Sequence, residues 1–352
     1  MISHNQLSHS DLEQSAAVTA VLEGITEVEP LRLFKPEGHQ AYKGLETYLA
    51  TPLEAPSLQD PDTDELIVKL LQISNDPSAH HMIHGHVLGA ASGKPVLTLG
   101  SFPESDRLDR KQRKKIIAGD FSPLADIYTA TIYDVLKEHD REGKRALGRI
   151  SLVGTSLGAS ALPAVAEKLK RNFDITAIGA QSPANIDECH PLREGQRLQK
   201  TPEDAYAEAL LDTPLEKYYG IALGVKLDGL TREQKIKEIK DAQKSRATAN
   251  FKHNPLLFAA AGRGLAKGTF ARDMIASDIF GEAPLVIGYG GKDALLPAEA
   301  RERLWGSLNL AHSAVRLTRK DSAARLAEVN FTSYAHDTWD HPRALAAFTL
   351  AL

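Results

Sequence analysis

The sequence predicts an α/β fold: a mostly parallel sheet flanked by helices and interrupted by an all-helical insert. Three observations predict it. Arg149 to Val153, an Ala- and Leu-rich stretch from Ser156 to Lys170, and Ile175 to Ala180 read as strand, helix and strand. A crossover of that length joins parallel strands, and such connections are right-handed. The strand pattern then stops, and residues 185–282 read as helices over 203–217, 231–248, 254–265 and 269–280. Strand signal resumes at Pro284 to Tyr289, followed by a helix near 297–306 and a further strand over Ala314 to Leu317. One core, residues 1–184 and 283–352, built around the 185–282 insert explains a chain of 352 residues better than two tandem domains do.

Apolar residues make up 42% and charged residues 25%, the balance of a globular protein rather than a disordered one. A net charge of -4 gives no electrostatic reason to expect nucleic acid or an anionic membrane as partner. Cys189 is the single cysteine, so no disulfide staples the chain and no thiolate metal site can form. The polar start MISHNQLSHSDLEQS lacks the basic flank and apolar run of a signal peptide, and no stretch approaches the roughly 18 apolar residues of a membrane span. The expectation is a soluble protein with the cytoplasm as its default location.

Earlier in the chain, Leu31 to Phe34 and Leu45 to Leu49 read as strands on either side of the turn-prone Lys35-Pro36-Glu37-Gly38. Residues 64–74 place apolar side chains at helical spacing and predict a short helix. His80 to Gly89 fits neither pattern. Pro95 to Leu99 reads as a buried strand leading into the loop Gly100 to Ser105, and Ile116 to Asp120 reads as another strand. Helical periodicity covers 122–139, with Ser122 or Asp120 as cap.

Chemistry enters at Gly154-Thr155-Ser156-Leu157-Gly158-Ala159, which fits Gly-x-Ser-x-Gly. Small residues must flank such a serine, because the chain turns sharply from strand to helix and holds the serine in strained backbone with its hydroxyl exposed. The helix that follows aims its free N–H groups at the place where negative charge develops. Here the motif directly follows an apolar strand and opens an Ala-rich helix, the setting that chemistry needs. Neither Gly-x-Gly-x-x-Gly nor a Gly-Lys-Ser/Thr ending is present, which disfavours phosphate binding.

On these residues the chain resembles the α/β-hydrolase superfamily over roughly 95–182 and 284–352. The resemblance implies a mostly parallel eight-stranded sheet with a serine, acid, histidine triad in that chain order. It also makes the insert at 185–282 a helical lid, or cap. A serine hydroxyl is a weak nucleophile at neutral pH, so a histidine must take its proton and a carboxylate must orient that histidine. Asp293, after the apolar strand and glycines of Ile287 to Gly291, matches the family's acid loop; Asp187 is the reserve acid, and helix capping is the competing role for Asp293. Ser333-Tyr334-Ala335-His336-Asp337 lies where the family's histidine belongs, before a C-terminal helix started by Pro342, with His341 as second candidate. The distance from a last strand ending near Arg319 to His336 is longer than the family shows.

For the oxyanion hole the resemblance implies the Leu157 amide and, from Gly100-Ser101-Phe102-Pro103-Glu104, the Phe102 amide. His84-Gly85 spells a similar pair but lacks a strand before it and reads as a decoy. Within the insert, Phe251, Phe258 and Met274 are candidates for an apolar substrate pocket, packing between helices being the alternative for each. The expected chemistry is hydrolysis of a carboxylic ester, or of a thioester or amide, through an acyl-serine. It uses a small-molecule acyl substrate and requires no metal or organic cofactor. An acyltransferase using the same triad and a non-catalytic binding protein of the same fold are the alternatives; nothing in the sequence fixes an oligomeric state.

Overall fold

The computed structural model describes residues 15–27, 39–42, 45–50, 63–72, 80–101, 108–139, 147–190, 207–208, 210–211, 213–253, 255–318, 324–331 and 341–352. Eight strands form one sheet: β1 (His39–Tyr42), β2 (Leu45–Ala50), β3 (Glu65–Leu70), β4 (Val96–Leu99), β5 (Arg149–Thr155), β6 (Asp174–Gln181), β7 (Leu285–Gly290) and β8 (Leu326–Phe331). Their spatial order is β1-β2-β4-β3-β5-β6-β7-β8. β2 runs antiparallel to β1 and β4, and every other pairing is parallel.

Helices cover both faces, as a parallel sheet requires. One face carries α3 (Arg110–Ile117), α4 (Ser122–His139), α5 (Leu157–Leu169), α8 (Pro255–Leu265), α9 (Phe270–Ala276) and α10 (Ala298–Thr318) over a core that includes Leu152, Ile178 and Ile287. The other carries α1 (Ala16–Thr26), α2 (His80–Ser92), α6 (Glu216–Leu223), α7 (Arg232–His253) and α11 (Pro342–Ala351) over Ile67, Val153 and Val286. Between Gln181 and Leu285 the described residues hold no strand. The helices there divide between the faces: α6 packs on α2, whereas α8 packs on α3 and α9 on α5.

The elements around the nucleophile motif follow the sequence reading closely; three others do not. Residues 64–74 hold β3 rather than a helix. All six of its residues are buried because it lies between β4 and β5, and a strand covered on both faces loses the alternation that would mark it. Ile116 to Asp120 closes α3 instead of forming a strand. Asp109 caps that helix through a capping box with Gln112, and Gly119 turns the chain at φ 85°. Ala314 to Leu317 belongs to the last turns of α10, whose buried Ala300, Leu304 and Leu308 keep helical spacing while Leu317 stays 82% exposed.

The last strand is instead β8, where Ala327, Val329 and Phe331 are buried and alternate with half-buried polar positions. It ends at Phe331, shortly before His336, so the long separation expected from the sequence disappears. His80 to Gly89 forms the body of α2. The strand read over Leu31 to Phe34 lies outside the described residues; of the helix read over 203–217, residues 207–208 and 210–211 are helical and residues 213–215 form a turn. α6 starts only at Glu216, after a turn in which the Thr213 hydroxyl accepts the Leu215 amide.

At the amino ends of the strands, a buried carboxylate ties three of them together. Glu65 accepts from Ser151 Oγ at 2.8 Å, Thr176 Oγ1 at 2.5 Å and Lys94 Nζ at 2.7 Å. Burial pushes its carboxyl upward, but the bonds from Lys94, Thr176 and Ser151 outweigh this and hold its pKa below the ordinary 4.5. A depressed carboxylate stabilises the fold above the unfolded-state pKa, and that contribution vanishes as pH falls through the folded value. Glu65→Gln is therefore expected to lower stability by about 1–3 kcal/mol at neutral pH. Thermal unfolding from pH 7 down to pH 3 should show a shallower acid limb than the wild type; parallel curves would contradict this account.

Candidate active site

β5 delivers the chain into the turn before α5. Ser156 occupies it with φ 52° and ψ -109°, a left-handed step that non-glycine residues take only under constraint. The constraint is visible. The Ser156 amide donates to Gln181 O at 2.8 Å, and the Ser156 carbonyl accepts from both Ser160 N and Ser160 Oγ at 3.0 Å. The two glycines are needed because there is no room beside them. A Cβ on Gly154 would lie 2.6 Å from Ala159 N, and one on Gly158 would lie 2.3 Å from Leu70 O. Ser156 itself is 3% exposed. Leu157, the first residue of α5, contributes one of the amides that a helix start leaves without an intrahelical acceptor.

Gln181, at the end of β6, braces this turn twice. Its carbonyl takes the Ser156 amide, and its Oε1 accepts the Thr155 hydroxyl at 2.9 Å. The sequence reading passed over it as the polar end of an apolar strand. Its burial and its register with Thr155 come only from the assembled sheet, so no sequence signal pointed to it.

Strand register brings Asp293, the candidate acid, to the same edge of the sheet. Thr155 pairs with Gln181, Gln181 with Gly288, and Gly288 with Val329, so β5 to β8 end side by side. Asp293 lies three residues past the end of β7 and is 4% exposed. Its amide donates to Gly290 O at 3.1 Å, and its Oδ1 accepts the Leu295 amide at 2.9 Å. That bond closes a local turn and does not cap α10, which starts at Ala298. Arg301 of α10 secures the loop, donating to Gly290 O at 3.2 Å and Gly291 O at 3.4 Å. Asp187, the reserve acid, is engaged elsewhere, with Arg303 Nη2 at 2.7 Å from its Oδ1.

His336 lies outside the described residues. In the chain it falls between the end of β8 at Phe331 and the start of α11 at Pro342. His341 stands at the start of α11, before Pro342, and is 3% exposed.

Phe102 also lies outside the described residues. The strand before it, β4, is separated from β5 by β3. The carbonyl of Leu70, the last residue of β3, is what presses on Gly158, and Leu71 N donates to Leu99 O. Ser101 is buried, with its carbonyl accepting the Tyr128 hydroxyl at 2.6 Å. His84 and Gly85 sit inside α2, where Gly85 faces Ala50 of β2.

Of the pocket candidates, Met274 is fully buried in the core that α9 shares with α5, and Phe258 is half-buried on α8. Phe251 belongs to α7, and its side chain is outside the described residues. Among the described residues no group of three or more His, Cys, Asp and Glu gathers as a metal site, and no helix is long and apolar enough to cross a membrane.

No protein-family model matches the chain, and no curated protein does. Solved structures of similar shape include the thioesterase domain from the curacin biosynthetic pathway, at 14% identity and TM-score 0.45, covering 89% of this chain and 98% of that one. A putative lipase from Acinetobacter baumannii aligns at 10% identity and TM-score 0.47, covering 94% and 92%. Est1E from Butyrivibrio proteoclasticus aligns at 14% identity and TM-score 0.42, covering 89% and 97%. The assignment of the fold rests on the chain's own features: the strand order, the single reversed strand β2, the strained serine between β5 and α5, and helices on both faces. Together they give this chain the α/β-hydrolase fold.

Proposed function

We propose that this chain is a serine hydrolase that cleaves a carboxylic ester, or a thioester or amide, through an acyl-serine intermediate. The observation that carries the reading is Ser156, held left-handed and braced on both sides between a strand and the start of a helix. Its hydroxyl attacks the substrate carbonyl while His336 takes the proton. Asp293 orients the imidazole and stabilises its charged form. The protonated imidazole then passes its proton to the leaving alcohol, and water repeats the sequence to release the acid.

The oxyanion is held by the Leu157 amide and by a second backbone donor. Phe102 is the donor that the sequence suggests. The adjacency of β3 to β5 supports Gln72, two residues past Leu70, as the other candidate. Residues 185–282 act in this proposal as a lid, with half-buried Phe258 of α8 as its apolar contact to substrate.

Fluorophosphonate labelling tests the proposal. The wild type is expected to label at Ser156, with a rate that rises with pH across about 6–7.5, because only neutral imidazole can accept the proton. No labelling at any pH would refute the reading, and a rate flat across that window would refute a histidine base.

A further inference from the structure

Ser182 repeats, one strand along, the step taken by Ser156. It follows Gln181 as Ser156 follows Thr155, and those two residues are direct register partners. Its φ is 42°, and these two serines are the only non-glycine residues with positive φ among those described. Strained backbone of this kind persists where the surroundings enforce it, and it concentrates at functional sites. Ser182 N donates to Gly288 O at 2.7 Å, which ties the turn to β7, the strand that leads to Asp293. Ser182 thus stands between nucleophile and acid.

Its hydroxyl is fully buried and has no hydrogen-bond partner among the described residues; neither has Nε2 of Gln181, whose Oε1 is taken by Thr155. Buried polar groups are almost always satisfied, so two orphans in consecutive residues at the ligand-facing edge of a parallel sheet call for an explanation. Burial does not bar them from substrate: Ser156, which must meet the substrate, is itself only 3% exposed.

We infer that Ser182 Oγ and Gln181 Nε2 form a polar subsite that hydrogen-bonds an oxygen on the acyl part of the substrate. The inference rests on the serine hydrolase reading and narrows its substrate class. Neighbouring strands lie about 4.8 Å apart. An acyl carbonyl bonded to Ser156 therefore brings its second and third carbons beside Ser182. The preferred acyl group carries a hydroxyl or oxo group on one of those carbons, and a plain alkanoyl ester leaves both donors unmatched.

The test is the ratio of kcat/KM within one protein, using p-nitrophenyl 2-hydroxybutyrate, 3-hydroxybutyrate and butyrate. A general loss of activity or of folded protein leaves this ratio unmoved. The wild type should favour one of the hydroxylated esters by about tenfold or more, since a site built to bond a hydroxyl discriminates strongly against its absence. Ser182→Ala should bring the ratio close to one. Ser182→Gly should do the same while suiting the positive φ, which guards against misfolding of the alanine variant. A wild-type ratio near one, or a high ratio kept by both variants, overturns the inference and leaves the hydrolase reading intact. Failure to turn over any of the three esters, together with no fluorophosphonate labelling, overturns both.

Discussion

Ester turnover by the Ser156→Ala variant is expected to fall on the order of 10⁶-fold, to the residual rate that oxyanion contacts and binding alone sustain. The size follows from the mechanism, because the acyl-serine bond cannot form without the hydroxyl, and histidine and acid then have no proton to move. Fold should survive. Alanine replaces serine with no added volume, the backbone bonds of residue 156 to Gln181 and Ser160 are main-chain on the residue's own side, and the strained φ is borne as before. Unchanged thermal unfolding together with lost turnover would confirm the role. Turnover retained within tenfold would place the nucleophile elsewhere.

The second large effect separates the two histidines. His336→Ala should cost nearly as much as loss of the nucleophile, since base and nucleophile act as one unit. His341→Ala should leave kcat within about tenfold of wild type and act mainly on stability, because a side chain 3% exposed at the start of α11 is lost from packing. The pH dependence adds an independent readout: a residual rate in His336→Ala should no longer rise across pH 6–7.5, whereas His341→Ala should keep the wild-type profile. The opposite pattern would identify His341 as the base.

The same contrast between local and distant information governs what could be read in advance. Strand β5, helix α5 and strand β6 matched their sequence-based bounds within a residue or two, because that segment carries its own evidence: an apolar run, a glycine-flanked serine and an Ala-rich helix. The failures have separate causes. β3 has no alternation because both its faces are covered, and only the sheet around it identifies Leu66 to Leu70 as a strand. β8 does carry the alternation of an edge strand, Ala327, Val329 and Phe331 against Glu328 and Asn330, but the stretch Ala314 to Leu317 reads as the last strand in its place. Misplacing that last strand also produced the apparent gap before His336.

At the site, sequence alone picked out Ser156 as the candidate nucleophile and the strand-to-helix turn that strains it, since Gly154, Ser156 and Gly158 lie close together in the chain and their sterics are local. It also picked out Asp293, because a glycine-rich loop after an apolar strand is a local signal. Only the tertiary structure decided what surrounds them: Gln181 bracing the turn, Arg301 securing the acid loop, Leu70 pressing on Gly158, and Ser182 standing beside Ser156. Each of these depends on parallel register between strands far apart in sequence. Register is set by how whole faces bury against helices, and no short window of residues contains that information.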